Sequence, residues 1–458
     1  MAAVVPSPSS RLTWLSLVSS AGVCALAATI GADARWLAAL GSEIASLGSI
    51  PTGVPYAAAS SAHWVNVPVL GELAFHWLHA LGGDRGLILA QVIATTASLA
   101  LLAADMRSRG APDGARGVLL VLVLFAALPS FVVVRGQLFS LVLFALTILL
   151  LRTEARSPSR RVWALVPLFA LWANLHGAVL VGLAVAGTYL LLERLRREPL
   201  VAVAVLLASV SALFLTPALL DSGAYYLGVM RSEAATRGEG LWAPLSLHAP
   251  FDVLFIMLAV PLVAFAFRSR LRLWEACSAV ALAALAVHAG RNSVWLACFL
   301  AAPAAAGLGG TALGRLAVSR RAVALCCWAP LGLLVLGLTH QTPSREAGAR
   351  VRELAVSLAA GRPILADGLD AERLALDGHR VWMTNPLDAF SRRDQRAYLD
   401  WLDAKASGDS LLTAQGAVVL VARGSPPDRR LARDPAFRRV ARDAASVLYV
   451  RDEGSRAS

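Results

Sequence analysis

The chain has 458 residues, of which 57% are hydrophobic and only 16% are charged; its formal net charge is +12 and its mean hydropathy +0.63. Soluble globular proteins average about 25% charged residues, so this composition excludes an ordinary soluble domain and predicts a polytopic membrane protein. Nearly all the positive charge is arginine, and the arginine clusters lie in short breaks between apolar runs, so a nucleic-acid partner is not expected.

The longer apolar runs predict about eleven membrane-spanning helices, because one span needs about 20 apolar residues. They are expected at residues 12–31, 85–104, 117–134, 137–152, 162–175, 177–193, 200–219, 251–267, 273–289, 292–310 and 322–339. The two runs that flank the break at 174–177 could also merge into one span.

Arginine clusters occur at every second break between these runs. They hold Arg11, then Arg107, Arg109 and Arg116, then Arg152, Arg156, Arg160 and Arg161, then Arg194, Arg196 and Arg197, then Arg268, Arg270 and Arg272, and finally Arg315, Arg320 and Arg321. Arginine-rich short loops stay in the cytoplasm, so the N-terminus is predicted to be cytoplasmic. The loops 32–84 and 220–250 and the C-terminal segment then lie outside, and the cytoplasmic halves of the spans are expected to be almost purely apolar.

The sequence changes character after residue 340. Short apolar runs predict strands and helical patterns separate them, which is typical of a small α/β domain. Strands are expected at 363–367, 381–385, 416–422 and 446–450, and helices at 346–360, 392–406 and 428–442. The predicted organisation is an all-α transmembrane domain at 1–340 and an extracytoplasmic α/β domain at 341–458. The first outer loop, 32–84, should carry interfacial helices at 35–48 and 68–81.

Polar residues collect at the breaks assigned to the outer face. Asp33 directly follows the first span, where a carboxylate can act as a general base or bind a metal ion; a solvated helix end is the alternative. Arg135 and Gln137 separate two apolar runs, and an arginine there suits a phosphate group or serves as a snorkelling anchor.

Three further breaks carry groups of the same kind. Asn174 and His176 interrupt about 30 apolar residues and must face protein or a water-filled cavity, either as pocket lining or as inter-helix hydrogen bonds. Trp242 lies among aromatic and charged residues of the loop 220–250, which suit a sugar or an interfacial aromatic belt. Arg291 and Asn292 form a second outer arginine site.

The order of these features along the chain resembles a known family. The features are a first span ending at Asp33, a proline-rich outer loop with W-x-N at Trp64 and Asn66, R-x-Q-L-F from Arg135, L-W-x-N-L-H-G ending at Gly177, and R-N at Arg291 and Asn292. Over most of residues 10–340 the chain resembles bacterial polytopic proteins of the GT-C glycosyltransferase superfamily, near the bacterial relatives of protein O-mannosyltransferases.

The resemblance implies transfer of a sugar from a polyprenyl-phosphate carrier at the outer face of the membrane. Asp33 matches the acidic residue that acts in this family as the base or helps to bind a metal ion. Arg135 and Arg291 are candidates for the lipid phosphate by location, and Trp64, Asn66 and Trp242 are candidates for substrate contacts.

The chain departs from the family pattern at the second acidic residue of the first outer loop. Related sequences carry a stretch like D-P-F-S there, whereas this chain has Val54-Pro55-Tyr56-Ala57. No acid directly follows W-x-N either, and Glu72 is the nearest. Either Glu43 or Glu72 replaces the missing carboxylate, or the chain is a non-catalytic relative.

The sequence therefore predicts a membrane protein that transfers a sugar from a polyprenyl-phosphate-linked donor to an undetermined extracytoplasmic acceptor. The alternatives are a transporter or flippase of a lipid-linked or anionic solute and a non-catalytic membrane scaffold. The expected partners are the plasma-membrane bilayer and the lipid-linked donor. The cofactor is undetermined, a divalent metal being one candidate, and no metal ligands are assigned.

Overall fold

A computed structural model describes residues 10–340, 348–414 and 417–452, and it divides into two compact units. The helical unit takes in the described parts of Met1–Ile30, Asp84–Leu219 and Gly238–Thr339. The mixed unit takes in those of Gly31–Gly83, Leu220–Arg237 and His340–Ser458. The C-terminal segment thus packs together with two loop segments, which the predicted division at residue 340 did not anticipate.

The described chain is mostly helical. The α-helices are α1 (Arg11–Ala27), α2 (Ala34–Leu47), α3 (Val69–Ser108), α4 (Asp113–Ala126), α5 (Leu128–Val132), α6 (Gln137–Arg156), α7 (Leu165–Ala173), α8 (Val179–Tyr189), α9 (Pro199–Ala212), α10 (Ser222–Met230), α11 (Glu233–Arg237), α12 (Pro250–Arg268), α13 (Leu273–His288), α14 (Ser293–Leu308), α15 (Arg320–His340), α16 (Ala349–Ala359), α17 (Gly368–Leu376), α18 (Arg392–Leu402), α19 (Asp409–Ala414) and α20 (Pro426–Leu431). The strands are β1 (Thr29–Ile30), β2 (Val133–Val134), β3 (Leu365–Ala366), β4 (Val418–Ala422), β5 (Phe437–Arg442) and β6 (Ser446–Arg451).

Each of the eleven predicted spans overlaps at least one helix of the structure. Among the described residues, α3, α6 and α12 are long and apolar enough to cross a membrane, and α1, α9, α13 and the 328–339 part of α15 are shorter apolar helices. The number of crossings and the orientation of the chain stay predictions.

The helix α3 contains the boundary between the two units. Gly83 has φ 58° and ψ −147°, a backbone conformation that interrupts the helix and that a residue with a Cβ rarely adopts. The residues before it, from Val69, match the predicted amphipathic stretch 68–81, and those after it match the predicted span 85–104. One glycine thus separates a loop helix from a helix of the apolar unit.

The ends of the spans that the sequence assigns to the cytoplasm contain buried charged groups, whereas the sequence analysis expected almost purely apolar halves there. Arg152 of α6 is 1% exposed and donates to Asp105 of α3, to the Glu275 carboxylate of α13 at 3.0 Å and to the Phe299 carbonyl of α14 at 2.6 Å. Arg109 donates to the same Glu275 carboxylate. Part of the arginine pattern therefore reflects ion pairs that join four helices, and the use of the pattern as a topology signal stays a prediction.

The mixed unit contains a four-stranded sheet in the order β3-β4-β6-β5. β3 pairs with β4 in parallel, whereas β6 pairs antiparallel with both β4 and β5. The predicted strands at 363–367, 416–422 and 446–450 correspond to β3, β4 and β6. The predicted strand at 381–385 is reduced to isolated bridges of Val381 with Ala57 and Ile364.

Two helical assignments in the C-terminal segment differ from the structure. The region of the predicted helix at 428–442 holds a short helix, α20, followed by the edge strand β5. β5 pairs antiparallel with β6, with an irregularity between Arg439 and Ala441. The helix α17 was not predicted. Its buried face includes Ala371, Leu374 and Ala375, with the buried acids Asp370 and Glu372 beside them, and these acids weaken the apolar pattern.

The two loop segments are attached to the C-terminal segment by specific bonds. Val381 donates its N–H to the Tyr56 carbonyl at 3.0 Å, and Ala58 donates to the Val381 carbonyl at 2.9 Å. Glu233, which is 6% exposed, accepts from Arg396 at 3.0 Å, so it serves as a structural anchor of the 220–237 segment.

The buried ion pairs of Arg152 predict a large loss of stability on mutation. Arg152→Met should lower the free energy of unfolding by about 3–5 kcal/mol, because Asp105 and Glu275 then lose their charged partner inside the unit. Arg156→Met, one turn further along α6 and exposed, is the matched control and should unfold like the wild type. Thermal unfolding of the full-length protein in detergent measures both, and equal unfolding temperatures for the two variants would contradict the expectation.

Candidate functional site

Three of the predicted phosphate-binding and pocket residues lie together in the helical unit. Arg135 follows β2 directly, is 8% exposed, and precedes α6, whose first residue is Gln137. His176, in the break between α7 and α8, lies within electrostatic range of both Arg135 and Arg291. Two guanidinium groups and one imidazole, taken from three separate breaks of the sequence, are therefore within electrostatic range of one another at His176.

A chain of hydrogen bonds orients the His176 ring. Trp172 Nε1–H donates to Ser140 Oγ at 2.7 Å, and Ser140 Oγ lies 2.9 Å from His176 Nδ1. The Ala178 N–H donates to the same Nδ1 at 3.2 Å. A ring nitrogen that accepts hydrogen bonds carries no proton, so in the neutral ring the proton is on Nε2. His176 can then offer an N–H donor beside the two arginines.

The neighbouring predicted residues have mostly structural contacts. The Arg291 guanidinium lies 3.6 Å from the centre of the Trp242 ring, a cation–π contact that fixes the arginine. The Asn174 amide donates to the carbonyls of Ala170 and Leu215, and the Asn292 amide to that of Leu285. These two amides are used by the fold, and their predicted contact with substrate stays a prediction.

Asp33 is held at the start of α2 in the mixed unit. Its backbone has φ 85°, a conformation that favours glycine, so the surroundings must hold it there. The Asp33 N–H donates to Glu372 Oε1 at 3.1 Å, and its carboxylate accepts from Trp36 Nε1 at 3.0 Å. A buried carboxyl group of α17 therefore fixes the backbone of the predicted catalytic residue.

Glu372 is a site residue that the sequence did not reveal. Its side chain is fully buried and also accepts from the Asn385 amide at 2.9 Å. Burial, and secondly the negative charge of Asp33, raise the pKa of Glu372 from 4.5 to about 8. The only sequence signal was a glutamate on the apolar stripe of α17, beside Ala371 and Leu374.

The acids considered in the first outer loop surround Tyr56. Glu72 is fully buried and accepts from the Asn66 amide at 2.7 Å. Burial raises the pKa of Tyr56 well above 10, and the charges of Glu72, Glu372 and Glu43 act in the same direction. Tyr56 belongs to the stretch that lacks the family's second acid, and Glu372 of the C-terminal segment supplies a carboxyl group there.

A second acid of the C-terminal segment pairs with the predicted residue Trp64. Trp64 Nε1–H donates to Asp388 Oδ2 at 3.0 Å. Burial raises the pKa of Asp388 from 3.8 to about 6, and the charge of Asp33 contributes in the same direction. Burial and the charge of Asp388 likewise raise the pKa of Tyr225 well above 10. Asp33, Asp388 and Tyr225 thus belong to one electrostatic cluster of the mixed unit.

A cavity of about 310 Å³ opens beside this cluster. Residues 60–65 and 388–391, with Ala224, Tyr225 and Gly228, form its walls. The side chains of Trp64, Tyr225 and Phe390 give it aromatic surfaces, and Asp388 gives it one carboxylate.

The predicted site residues therefore fall into two sets, one in each unit. Arg135, His176 and Arg291 are together in the helical unit, and Asp33, Glu72 and Trp64 are in the mixed unit. Their joint action stays a prediction. Within the described residues no group of three His, Cys, Asp or Glu side chains could hold a metal ion.

Comparisons with known proteins give matches among solved structures alone. No family model and no curated protein matches the chain. The crystal structure of ArnT from Cupriavidus metallidurans bound to undecaprenyl phosphate aligns with TM-score 0.56 at 16% identity, covering 96% of this chain and 97% of that one. Its apo form aligns with TM-score 0.54 at 18% identity, covering 96% of both chains. The chain has the GT-C fold.

The GT-C fold was the one that the order of sequence features implied, and this expectation is confirmed at the level of the fold. The closer likeness to protein O-mannosyltransferases stays a prediction. Since the alignment covers nearly the whole chain, the GT-C fold includes the C-terminal segment that supplies Glu372 and Asp388.

The raised pKa of Glu372 predicts how stability depends on pH. The folded state keeps the Glu372 proton up to about pH 8, whereas the unfolded chain releases it near its ordinary pKa of 4.5. The protonated carboxyl group therefore contributes to the free energy of unfolding. This contribution is complete below about pH 4.5 and is lost as the pH rises through about 8, a change of roughly 3–5 kcal/mol.

Glu372→Gln should remove this part of the pH dependence, because glutamine keeps the oxygen acceptor and has no proton to lose. Glu353→Gln, on the exposed face of α16, is the control and should behave as the wild type. Thermal unfolding of the full-length protein at a series of pH values tests this. A wild-type slope in Glu372→Gln would mean that the buried carboxyl group is not held neutral.

Proposed function

We propose that the protein transfers a sugar from a polyprenyl-phosphate carrier to a hydroxyl group of an extracytoplasmic acceptor. The observation that carries the proposal is the group of two guanidinium cations, Arg135 and Arg291, around the neutral His176 ring in a chain with the GT-C fold. A phosphate that leaves as a dianion or monoanion needs such a group, and guanidinium donors match its geometry. The ArnT structure with the same fold was determined with undecaprenyl phosphate bound.

In the proposed reaction the acceptor oxygen attacks C1 of the donor sugar. The bond between C1 and the phosphate oxygen breaks, and the polyprenyl phosphate departs with the electron pair. Arg135 and Arg291 neutralise the developing charge, and the Nε2–H of His176 can donate to a phosphate oxygen. Asp33 takes the proton from the acceptor hydroxyl, and Glu372 holds the backbone of Asp33 in place.

β1 pairs with β2 in parallel, with Ile30 beside Val134, so the chain leaves both strands at the same end. It reaches Asp33 three residues after β1 and Arg135 one residue after β2. The proposed orientation puts this end of the two strands of the helical unit on the outer face of the plasma membrane.

Loss of either proposed phosphate ligand should slow transfer. Arg135→Gln and Arg291→Gln should each lower the rate of transfer about 10²–10³-fold, the usual effect of removing one donor to developing negative charge. Transfer from radiolabelled polyprenyl-phosphate sugars in membranes, corrected for the amount of protein, measures this. Arg156→Gln, an exposed arginine of α6, is the control and should keep wild-type activity; a similar loss there would point to a general charge effect.

Removal of the proposed base should abolish transfer while leaving donor binding intact. Asp33→Asn cannot take up the acceptor proton, so the turnover number should fall at least about 10²-fold with little change in affinity for the donor. The same membrane assay at varied donor concentration separates the two effects. Activity equal to the wild type would show that Asp33 is not the base.

A further inference from the structure

The cavity beside Trp64 is built entirely from the mixed unit and has a distinctive lining. Its volume of about 310 Å³ is at the lower end of the range for small-molecule sites, so it has room for one ring and little more. Three aromatic side chains, Trp64, Tyr225 and Phe390, come from three separate segments of the chain. No lysine or arginine is among the residues that line it.

The polar groups of the cavity select the kind of ring. Aromatic faces pack against the C–H groups of a sugar ring, and a carboxylate accepts hydrogen bonds from its hydroxyl groups. Trp64 Nε1–H holds one oxygen of Asp388 at 3.0 Å, which orients the carboxylate at the cavity wall. The Asp388 carboxylate, in a lining whose one basic residue is His63, repels an acidic ligand and attracts an amine.

The position of the cavity assigns it to the acceptor. Asp33, the proposed base, belongs to the same unit and acts electrostatically on Asp388 and Tyr225. Asp388 and Tyr225 of the cavity wall thus belong to the same electrostatic cluster as the proposed base. The cationic residues that suit the donor phosphate belong to the helical unit instead.

We propose that this cavity binds the acceptor as a single sugar ring that carries hydroxyl or amino groups and no acidic group. Its assignment to the acceptor rests on the proposed function; the preference for neutral and amino sugars over acidic ones rests on the lining alone. Neither the acceptor assignment nor the sugar preference depends on the residues of the helical unit that are proposed to bind phosphate.

Binding of free sugars to the full-length protein in detergent tests the lining without any donor. Saturation-transfer NMR with glucose, glucosamine and glucuronic acid should show the first two binding at least about tenfold more tightly than the third. Trp64→Ala and Asp388→Asn should each weaken glucosamine binding about tenfold or more, and Trp64→Phe should lose less because it keeps an aromatic face. Trp77→Ala, an exposed tryptophan of α3 outside the cavity, is the matched control.

The pH dependence provides a second readout. Asp388 is ionised above about pH 6 and neutral below it, so the preference for glucosamine over glucose should decrease between about pH 7 and pH 5. The titratable groups around it are Asp33, Tyr225 and His63 of the cavity wall. Asp388→Asn should lose the pH dependence, and His63→Gln should keep it.

The outcomes separate this proposal from the proposed function. Equal binding of glucuronic acid, or wild-type binding by both Trp64→Ala and Asp388→Asn, would overturn the sugar-ring assignment even if transfer occurs. Selective binding together with absence of turnover from every donor would support the lining and overturn the transfer reaction. Selective binding with transfer that the cavity variants reduce in parallel would support both.

Discussion

A charged group can remain inside an apolar unit only if partners surround it, and Arg152 meets this condition. Two carboxylates and one backbone carbonyl, from α3, α13 and α14, accept from its guanidinium. The cost of removing an unpaired charge from water would otherwise exceed what packing of the neighbouring helices contributes. The same condition explains why Arg194 is buried beside Glu154. These pairs join helices that are far apart in the sequence.

The mixed unit depends on the same requirement with different residues. Glu372 is buried because the Asp33 N–H and the Asn385 amide donate to it. Trp64 and Asp388, and Glu233 and Arg396, connect other segments of the unit in the same way. The contacts that assemble this unit are also the ones that orient its acidic residues. Stability and the geometry of the proposed active site are therefore linked, which is common when buried ionisable groups are retained.

The sequence predicted the helices of the apolar unit well, because a long apolar run satisfies its backbone hydrogen bonds internally only as a helix. It also predicted β3, β4 and β6, whose apolar residues are local and continuous. It missed the helix α17 and the strand β5, where charged residues interrupt the apolar pattern and contacts with distant segments decide the conformation. Among the site residues, Arg135, His176 and Arg291 stood out because polar groups are rare in such runs. Glu372 and Asp388 did not, because acids are ordinary in a polar segment.

By itself the sequence determined the apolar class of the chain, the approximate positions of its helices and the breaks that contain Asp33, Arg135, His176 and Arg291. These follow from composition and periodicity, which are local properties. Only the tertiary structure decided that the outer-loop segments 31–83 and 220–237 pack with the C-terminal segment, and that Glu372 and Asp388 lie beside Asp33 and Trp64. These arrangements depend on hydrogen bonds between residues 162 to 339 positions apart, which no local pattern encodes.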